Sequence, residues 1–500
     1  MSAPRTRADW QAMAGRLDLR THAFIDGRYA HAVDGATFDC ISPIDGRVLG
    51  RVAACGATDI DRAVRAARRS FEAGAWSQAR PARRKRTLQT LASLIEKHAD
   101  ELALLETLDM GKPIDDARNV DIAAAIRCFA WTAEALDKVY GEIAPTGPGE
   151  LGLVTREPLG VVGAIVPWNF PLLMAAWKLA PALATGNSVV LKPSEKSPLS
   201  ALRLAELAAE AGIPEGVFNV VPGTGQAAGQ PLALHMDVDG LVFTGSTAVG
   251  KRLLRCAGES NMKRVYLECG GKSPNIVFAD APDLDKAAQA AALGVFYNQG
   301  EVCTAASRLL VERGIKDAFL ARVVEAGKKM QPRHPLEPGA PMGALVDEGQ
   351  AARVLDYIGK GRAEGARLAL GGERAEPVAG GSYVQPTVFD EVRPEHTIAR
   401  EEIFGPVLAV IPFDDEAQAL RIANDTQYGL AAGVWTANLS RAHRVARGLR
   451  AGSVWVNHWD GGDMTAPFGG YKQSGNGRDK SLHAFDKYTE IKATWIDLGD

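Results

Sequence analysis

The chain has 500 residues, of which 46% are hydrophobic, 23% charged and 7% aromatic. This composition is typical of a water-soluble globular protein, and the length suggests roughly two to four domains. The formal net charge is −3, from 57 basic and 60 acidic residues, and this near balance argues against a protein that binds nucleic acid or a membrane surface.

The cysteine content and the first residues predict a cytoplasmic protein. Six cysteines with irregular spacing and no C-x-x-C pair are unlike a disulfide framework and fit a reducing compartment. The opening stretch MSAPRTRADW lacks the apolar core of a signal peptide, and no uninterrupted apolar run is long enough to span a bilayer. No metal site is predicted.

The predicted elements change character along the chain. Residues 1–50 contain short extended pieces and turns, and residues 60–140 show the three- and four-residue apolar spacing of helices. From Val161, short β-branched runs such as VVGAIVP and SVVLKP alternate with amphipathic stretches rich in Ala and Leu. Strands that are apolar on both faces and alternate with helices indicate a parallel sheet with crossover helices.

The same alternation restarts after Gly271, where NIVFAD, RLLVE, VLAVIPF and GSVWVN are strand candidates. The sequence therefore predicts an α/β fold with two doubly wound domains and a seam near residues 270–272. The segment 141–158 and the alternating tail YTEIKATWIDL resemble strands that cannot bury themselves alone, which indicates pairing with another element or subunit.

Two glycine-rich turns follow predicted strands in the first half. GTGQAA, which contains Gly225, fits a dinucleotide fingerprint with Asp237 or Asp239 as the ribose acceptor, but it fits a tight strand-to-helix turn equally well. GSTAVGK, which begins at Gly245, resembles a P-loop but carries Arg252 where a magnesium ion needs a hydroxyl ligand. Both turns expose backbone N–H groups at a helix start, where the helix dipole favours a diphosphate cofactor.

Cys303 and Glu268 are the candidate reactive residues. Small and polar residues surround Cys303 in FYNQGEVCTAASR, which predicts an accessible turn, whereas Cys128, Cys256 and Cys269 are expected to be buried. Glu268 ends the apolar strand VYLE before two glycines, at the place where α/β sheets bind ligands. A carboxylate there can have a raised pKa and act as a general base, although a glutamate that caps a turn also fits this position.

The sequence resembles the aldehyde dehydrogenase superfamily from about Phe24 to its C-terminus. The resemblance rests on VPWNFPL, KPSEKSPLSA, FTGSTAVGK, LECGGKSPNIV, FYNQGEVC, EEIFGPV and PFGGYKQSGNGRD, in the family's order. It implies a homodimer or homotetramer whose subunit has three parts. These are a Rossmann-like cofactor domain (residues 1–140 and 159–269), a catalytic domain (270–470) and a small β oligomerisation arm (141–158 and 484–500).

The resemblance also implies residue roles. Cys303 matches the nucleophile that forms a thioester, Glu268 matches the general base, and the Asn169 side chain with the Cys303 backbone N–H matches the oxyanion hole. The implied cofactor is NAD, because Glu195 suits a free ribose, while the neighbouring Lys192 leaves NADP as an alternative. The residues expected to hold the cofactor are Trp168, Lys192, Glu195, Gly225, Gly245, Ser246, Glu402 and Phe404.

Three further stretches resemble a narrower branch, the 4-guanidinobutyraldehyde and γ-glutamyl-γ-aminobutyraldehyde dehydrogenases of polyamine (putrescine) and arginine breakdown. They begin with MGKPIDDARNV, AGESNMKRVYLE and NHWDGGDMTAPF. The implied substrate residues form an aromatic tunnel with carboxylates near its mouth: Asp121, Phe170, Met174, Trp177, Phe296, Trp459, Asp460 and Asp463. Such carboxylates suit an aldehyde with a cationic end, although Asp460 and Asp463 also suit the turn WDGGD on their own.

Other functions remain open at this point. The nearest is a broad-specificity aliphatic or betaine-type aldehyde dehydrogenase. A CoA-acylating dehydrogenase is disfavoured by Glu268, which its relatives usually lack. A non-catalytic structural protein on the same scaffold is disfavoured by the presence of Cys303, Glu268 and Asn169 together. In each enzymatic case the expected partner is a small aldehyde, and no nucleic acid or membrane is expected.

Overall fold

The computed structural model describes residues 5–499, so the predicted domain ranges that begin at residue 1 and end at residue 500 extend beyond it at both ends. The strands, in chain order, are β1 (Ala23–Ile25), β2 (Arg28–Ala30), β3 (Thr37–Ile41), β4 (Val48–Ala53), β5 (Glu142–Ala144), β6 (Glu150–Pro158), β7 (Val161–Ile165), β8 (Ser188–Lys192), β9 (Phe218–Val220), β10 (Gly240–Thr244), β11 (Arg264–Glu268), β12 (Pro274–Val277), β13 (Arg308–Glu312), β14 (Arg367–Leu370), β15 (Thr387–Asp390), β16 (Val407–Phe413), β17 (Ala431–Trp435), β18 (Ser453–Val456) and β19 (Thr489–Asp497).

The α-helices, in chain order, are α1 (Arg7–Ala14), α2 (Ala57–Glu72), α3 (Pro81–Lys97), α4 (Ala99–Met110), α5 (Ile114–Asp116), α6 (Ala123–Ala135), α7 (Pro171–Ala184), α8 (Leu199–Glu210), α9 (Gln230–Leu234), α10 (Thr247–Glu259), α11 (Leu284–Phe296), α12 (Lys316–Lys328), α13 (Glu348–Ala363), α14 (Thr397–Arg400), α15 (Glu416–Asn424) and α16 (Leu439–Gly448). Short π-helical turns cover Ala117–Ile122 and Gly225–Gly229, and 3₁₀ turns cover Tyr297–Gly300, Arg313–Ile315, Lys472–Ser474 and Leu482–Tyr488.

The first large sheet has the strand order β11-β10-β7-β8-β9-β1-β2. Strands β11 to β9 run parallel to one another, and β1 and β2 extend the edge in antiparallel fashion. Every residue of β7, β8 and β10 is buried, as expected for central strands of a sheet that helices cover on both faces.

The second large sheet has the order β14-β15-β16-β13-β12-β17-β18 and is parallel except at its β14 edge. The chain crosses from the first sheet to the second between Glu268 and Pro274, which is where the sequence changes from LECGG to the next strand. The prediction of two α/β domains is confirmed by these two sheets.

A third, smaller sheet has the order β19-β6-β5. Strand β19 pairs antiparallel with β6 along its whole length, from Thr489 opposite Pro158 to Asp497 opposite Glu150. The tail therefore pairs within its own chain. The preceding turn, Leu482–Tyr488, packs into the core of the first domain instead, so the projecting strand begins only at Thr489. No helix within residues 5–499 has both the length and the apolar character that a bilayer crossing needs.

Candidate active site

Parallel strands of the first sheet end at one edge, and predicted site residues lie at or just beyond those ends. Ile165 at the end of β7 lies in register with Lys192 of β8 and with Phe243 of β10. Thr244, the last residue of β10, pairs with Glu268, the last residue of β11. Because the carboxyl ends of parallel strands share one edge, the segments that follow them form a common rim.

A cavity of about 760 Å³ opens at this rim, with residues of both domains in its walls. The predicted residues that line it are Trp168, Asn169, Phe170, Met174, Trp177, Gly245, Ser246, Glu268, Cys303, Glu402, Phe404 and Asp460. The fold therefore brings the predicted nucleophile, the predicted base and most of the predicted cofactor residues to one space.

Cys303 lies on the loop after α11, and left-handed backbone shapes this loop. Asn298, Gln299 and Gly300 have φ values of 47°, 58° and 74°, a region that costs non-glycine residues roughly 1 kcal/mol or more each. A Cβ atom at Gly300 would lie 2.2 Å from the carbonyl carbon of Gly405, so only glycine fits there. The loop presents Cys303 partly exposed, as predicted, while the other five cysteines are buried.

The same loop holds the side chain of Asn169. The Asn169 amide donates a hydrogen bond to the carbonyl of Glu301 at 2.7 Å, and the Asn298 amide donates to the carbonyl of Asn169 at 3.2 Å. Asn169 is 4% exposed and lines the cavity. One N–H of its amide group is thereby fixed, and the second can donate to an oxygen atom in the cavity, as an oxyanion-hole group must.

Asn169→Ala is expected to lower kcat for aldehyde oxidation by about 10²–10³-fold, because it removes a donor that acts on the negative oxygen of the transition state. KM is expected to change much less, and steady-state NADH absorbance measures both. Asn119→Ala, which changes an exposed asparagine, is the matched control. A kcat equal to that of the unmodified enzyme would exclude this role for Asn169.

Glu268 is buried with an unpaired carboxyl group. It is 4% exposed, and neither of its carboxyl oxygens accepts a hydrogen bond from the described residues. The buried Asp479 forms ion pairs with Lys178 and Lys487. Burial raises the pKa of Glu268 to about 8, the Asp479 carboxylate adds to this rise, and the two lysines oppose it. A carboxyl group with such a pKa can remove a proton from water near neutral pH.

Burial also raises the pKa of the Cys303 thiol, to about 12, and the carboxyl groups of Glu402, Glu268 and Asp460 contribute to the rise. The resting thiol is therefore protonated at neutral pH and must lose its proton before it can act as a nucleophile. The pKa of Glu268 is lower than that of the thiol. Neutralising these carboxyl groups, or bringing a positive charge into the cavity, makes the thiolate easier to form.

Glu402 and Phe404 form a wall that fits a nicotinamide riboside. The Glu402 carboxylate accepts the N–H of Gly271 at 3.0 Å. A Cβ atom at Gly270 would lie 2.0 Å from the same carboxylate, so any larger residue at 270 would displace the Glu402 carboxylate from this position. Phe404 has a left-handed φ of 60°, and its ring meets that of Trp168 edge-on at 5.2 Å. An acceptor carboxylate beside two aromatic rings suits a sugar with hydroxyl groups and a flat ring.

The N-terminus of α10 forms another part of the cavity wall. The Ser246 hydroxyl caps this 13-residue helix by accepting the N–H of Val249 at 3.3 Å. Gly245, Ser246 and Thr247 all line the cavity. Because the helix dipole and the free N–H groups of the first turn favour negative charge, this end of the cavity fits the pyrophosphate of a dinucleotide.

Lys192 and Glu195 do not line the cavity, but a hydrogen bond connects their loop to the cavity wall. The Lys192 ammonium donates to the Glu195 carboxylate at 2.9 Å. The same loop contacts the cavity wall, since the Ser197 hydroxyl donates to the carbonyl of Trp168 at 3.2 Å. Gly225, by contrast, lies in an exposed turn and does not line the cavity, so the cavity offers no support for a fingerprint role of GTGQAA.

Four of the predicted substrate residues do not line the cavity. Asp121 is completely buried in an ion pair with Lys112, whereas Val120, the preceding residue of the same helical turn, lines the cavity. Phe296 ends α11 with its ring directed into the core of the second domain, where a Cβ atom at Gly327 would lie 3.2 Å from it. Neither side chain lines the cavity.

Trp459 and Asp463 are the other two corrections. The Trp459 ring fills the space left by two glycines, since Cβ atoms at Gly294 and Gly433 would lie 2.8 Å and 2.7 Å from it. Asp463 is exposed and accepts the N–H of Thr465 at 2.7 Å. It therefore shapes the turn WDGGD, which is the second of the two interpretations of this residue.

Sequence reasoning missed polar residues of α13 that line the cofactor side. The Gln350 amide donates to the carbonyl of Phe404 at 2.6 Å and so fixes its left-handed backbone. Arg353 donates to the carbonyl of Glu402 at 3.1 Å, and Tyr357 lines the same wall. No motif marks these residues. The only available signal was their spacing of three and then four positions, which places them on one helix face.

Two aromatic residues on the substrate side were also missed. Tyr297 stacks on Phe170 with ring centroids 6.4 Å apart, and Phe468 packs on Trp177 at 5.1 Å. All four rings line the cavity together with the exposed carboxylate of Asp460. The predicted aromatic tunnel with a carboxylate is therefore present, but with a partly different set of residues.

Comparison with known proteins places the chain among enzymes of one family. The sequence profile described as "Aldehyde dehydrogenase family" matches residues 29–494. The NADP/NAD-dependent aldehyde dehydrogenase PuuC of Escherichia coli is 57% identical over 491 residues, which cover 98% of this chain and 98% of that protein.

Two solved structures are similar over nearly the whole chain. The indole-3-acetaldehyde dehydrogenase AldA of P. syringae, in complex with NAD+ and IAA, has 64% identity and a TM-score of 0.98, covering 99% of this chain and 100% of that one. The γ-glutamyl-γ-aminobutyraldehyde dehydrogenase of Burkholderia cenocepacia has 62% identity and a TM-score of 0.97, with the same coverage. The predicted resemblance is confirmed, and the chain belongs to the aldehyde dehydrogenase family.

Proposed function

We propose that this protein oxidises an aldehyde to its carboxylic acid with NAD+ or NADP+, through a thioester on Cys303. The observation that carries the proposal is the meeting of Cys303, Glu268 and Asn169 in one cavity that also reaches the N-terminus of α10. This reaction needs a nucleophile, a base, a hydrogen-bond donor for the oxyanion and a site for the diphosphate of the cofactor.

Each residue has a defined task in this reaction. The Cys303 sulfur gives its proton to solvent water and adds to the aldehyde carbon, which forms a C–S bond and moves the C=O π electrons onto the oxygen as a negative charge. The Asn169 amide and the Cys303 backbone N–H stabilise that oxygen. Bound nicotinamide supplies the acceptor for the hydride that the adduct loses as its C=O bond re-forms to give a thioester. Glu268 then takes a proton from water, whose oxygen displaces the Cys303 sulfur and releases the acid.

We infer that Glu195 sets the choice between NAD and NADP. Glu195→Ser is expected to raise the ratio of kcat/KM with NADP to kcat/KM with NAD by about 10-fold, because a carboxylate beside Lys192 repels a 2′-phosphate. Binding constants from quenching of tryptophan fluorescence check this without turnover. Glu210→Ser, at the exposed end of α8, is the control, and an unchanged ratio for Glu195→Ser would contradict the assignment.

We propose an aldehyde with an ω-amino, guanidino or γ-glutamylamino group on a butyraldehyde chain as the substrate, which would place the enzyme in polyamine or arginine breakdown. Support comes from the similarity to the γ-glutamyl-γ-aminobutyraldehyde dehydrogenase and from the carboxylate of Asp460 beside four aromatic rings. Aromatic faces and a carboxylate both attract a cation.

An arylacetaldehyde is the second candidate substrate. The observation in its favour is the aromatic wall of Phe170, Trp177, Tyr297 and Phe468, together with the similarity to the indole-3-acetaldehyde dehydrogenase. Flat aromatic substrates pack well against such a wall without needing any charge. A broad-specificity enzyme would use both kinds of aldehyde.

A panel of kcat/KM values separates these candidates. We expect 4-aminobutanal, 4-guanidinobutanal or γ-glutamyl-γ-aminobutyraldehyde to exceed hexanal and indole-3-acetaldehyde by about 10-fold or more, since a paired charge contributes about 1.4 kcal/mol or more. The panel is run with NAD+ and with NADP+. A preference for indole-3-acetaldehyde would favour the second candidate, and equal values would favour broad specificity.

We infer that different parts of the chain have different functions. Residues 1–140 and 159–269 would bind the cofactor, 270–470 would supply the nucleophile, and β5, β6 and β19 would form an oligomerisation arm in a cytoplasmic homodimer or homotetramer. The exposure of Ile491 (65%) and Trp495 (64%) on β19 supports the arm, because apolar side chains on a projecting strand are typical of an interface. Light scattering measures the oligomer mass.

A further inference from the structure

The substrate side of the cavity carries one isolated charge. The other charged residues in the cavity lining belong to the surroundings of Cys303 or to the cofactor side, and they are Glu268, Arg353, Glu401 and Glu402. Asp460 is the exception. It is exposed, shares the cavity with Trp177 and Tyr297, and accepts no side-chain hydrogen bond from residues 5–499, while Lys480 and His458 act on its carboxyl group from a distance.

A second charge, Lys480, lies against the aromatic wall. Its ammonium group stands 5.8 Å from the centroid of the Trp177 ring, and Trp177 lines the cavity. Lys480 is half-buried, and Asp463 and Asp460 act on it only through space. Lys480 lines a small neighbouring pocket that shares Trp177 with the cavity, and it does not line the cavity itself. Because no carboxylate of residues 5–499 forms an ion pair with this ammonium group, its positive charge can act on the cavity through space.

The position of Lys480 is fixed relative to that wall. Lys480 and Ser481 have left-handed φ values of 62° and 51°. The preceding Asp479 pairs with Phe468 through two backbone hydrogen bonds of 2.8 Å and 2.7 Å, and the Phe468 ring packs on Trp177. The turn that carries the lysine and the aromatic wall are therefore one connected unit.

Two opposite charges distinguish the candidate substrates by their distal groups. An ω-amino or guanidino aldehyde has a single positive charge at its far end, whereas a γ-glutamylamino aldehyde has an ammonium and a carboxylate on one carbon. Asp460 attracts the cation of either kind. Lys480 attracts only the molecule that also carries a carboxylate, and it disfavours a lone cation.

We propose that Asp460 and Lys480 form a charge pair that selects aldehydes whose far end is an amino acid group with both an ammonium and a carboxylate. Asp460 receives the ammonium, and Lys480 acts as a specificity-determining residue through its charge at the Trp177 wall. This inference rests on the proposed oxidation at Cys303 and adds the identity of the distal group.

The test compares KM and kcat for γ-glutamyl-γ-aminobutyraldehyde, 4-aminobutanal and hexanal. Lys480→Met is expected to raise KM about 10-fold for the γ-glutamyl substrate at constant kcat. It is expected to lower KM for 4-aminobutanal, because a repelling charge is lost, and to leave hexanal unaffected. Lys480→Arg keeps the charge and restores the γ-glutamyl KM. Asp460→Asn is expected to raise KM for both charged substrates more than for hexanal.

Controls separate this proposal from a structural effect. Lys480→Asn is a second neutral variant that suits the left-handed backbone, and Lys286→Met removes an exposed lysine at the start of α11. An equal rise of KM for all three aldehydes, or an unchanged γ-glutamyl KM in both neutral variants, would overturn the charge pair. Failure of the unmodified enzyme to oxidise any of the three aldehydes would instead overturn the proposed function.

Discussion

Cys303→Ala is expected to abolish aldehyde oxidation, with kcat reduced by about 10⁴-fold or more, because the substitution removes the sulfur that forms the proposed thioester. Cofactor binding is expected to persist, since the surfaces that fit the nicotinamide riboside and the pyrophosphate belong to Glu402, Phe404 and Ser246. NADH absorbance measures turnover, and quenching of tryptophan fluorescence measures NAD+ binding.

The control for this substitution is Cys256→Ser, which changes a buried cysteine of α10. It is expected to retain turnover, because Cys256 does not line the cavity and the proposed mechanism does not use it. Substantial turnover by Cys303→Ala with intact protein would assign the reaction to another group.

Glu268→Gln is expected to block the second half of the reaction. Steady-state kcat should fall by about 10²–10⁴-fold, because the amide cannot take a proton from water. A single burst of NADH per active site should remain, since hydride leaves before hydrolysis begins. Rapid mixing measures the burst, and a burst followed by undiminished turnover would exclude Glu268 as the base of hydrolysis.

The pH dependence of hydrolysis gives an independent test of Glu268. Burial raises the pKa of this carboxyl group to about 8, and a general base works only when it is ionised. The rate of thioester hydrolysis is therefore expected to rise with pH through about 8 and to level off above it. Single-turnover measurements follow this step while Cys303 is acylated and cannot titrate. The inflection should vanish in Glu268→Gln, and a rate that falls as pH rises would contradict the assignment.

The architecture was predictable because it depends on local patterns. Fully apolar runs such as VVGAI and SVVLK are central strands with every residue buried, and alternation with amphipathic stretches indicates parallel sheets. The sequence did not predict in detail the edge strands β1 and β2. It also did not predict the 3₁₀ turn Leu482–Tyr488, which packs into the core of the first domain. Their structure depends on contacts with distant segments that no local periodicity records.

The candidate catalytic residues could be proposed from the sequence because several requirements meet at each. Glu268 ends an apolar strand before two glycines, and the structure places both its strand end and Cys303 at one cavity. The cofactor role of Gly225 stays a prediction, because the G-x-G-x-x-A spacing of GTGQAA also fits a plain turn and Gly225 does not line the cavity. Glycine spacing predicts a turn, but only the path of the chain decides whether a ligand lies beside it.

The substrate side was the least predictable part of the site. Asp121 and Asp460 were both predicted to lie near the mouth of the substrate tunnel, yet one is buried beside Lys112 and the other lines the cavity. Which side of a helical turn or loop faces a tunnel depends on the packing of neighbouring elements. Tyr297 and Lys480 were missed for the same reason, since each acts through a partner distant in sequence.

The most direct test of the thioester is the mass of Glu268→Gln after mixing with NAD+ and hexanal. The acyl group is expected to accumulate on the enzyme, because hydrolysis is blocked. Intact-protein mass spectrometry should show a gain of one hexanoyl group, and digestion should place it on the peptide that contains Cys303. A burst of NADH without any acylated protein, or an acyl group on another residue, would contradict the account.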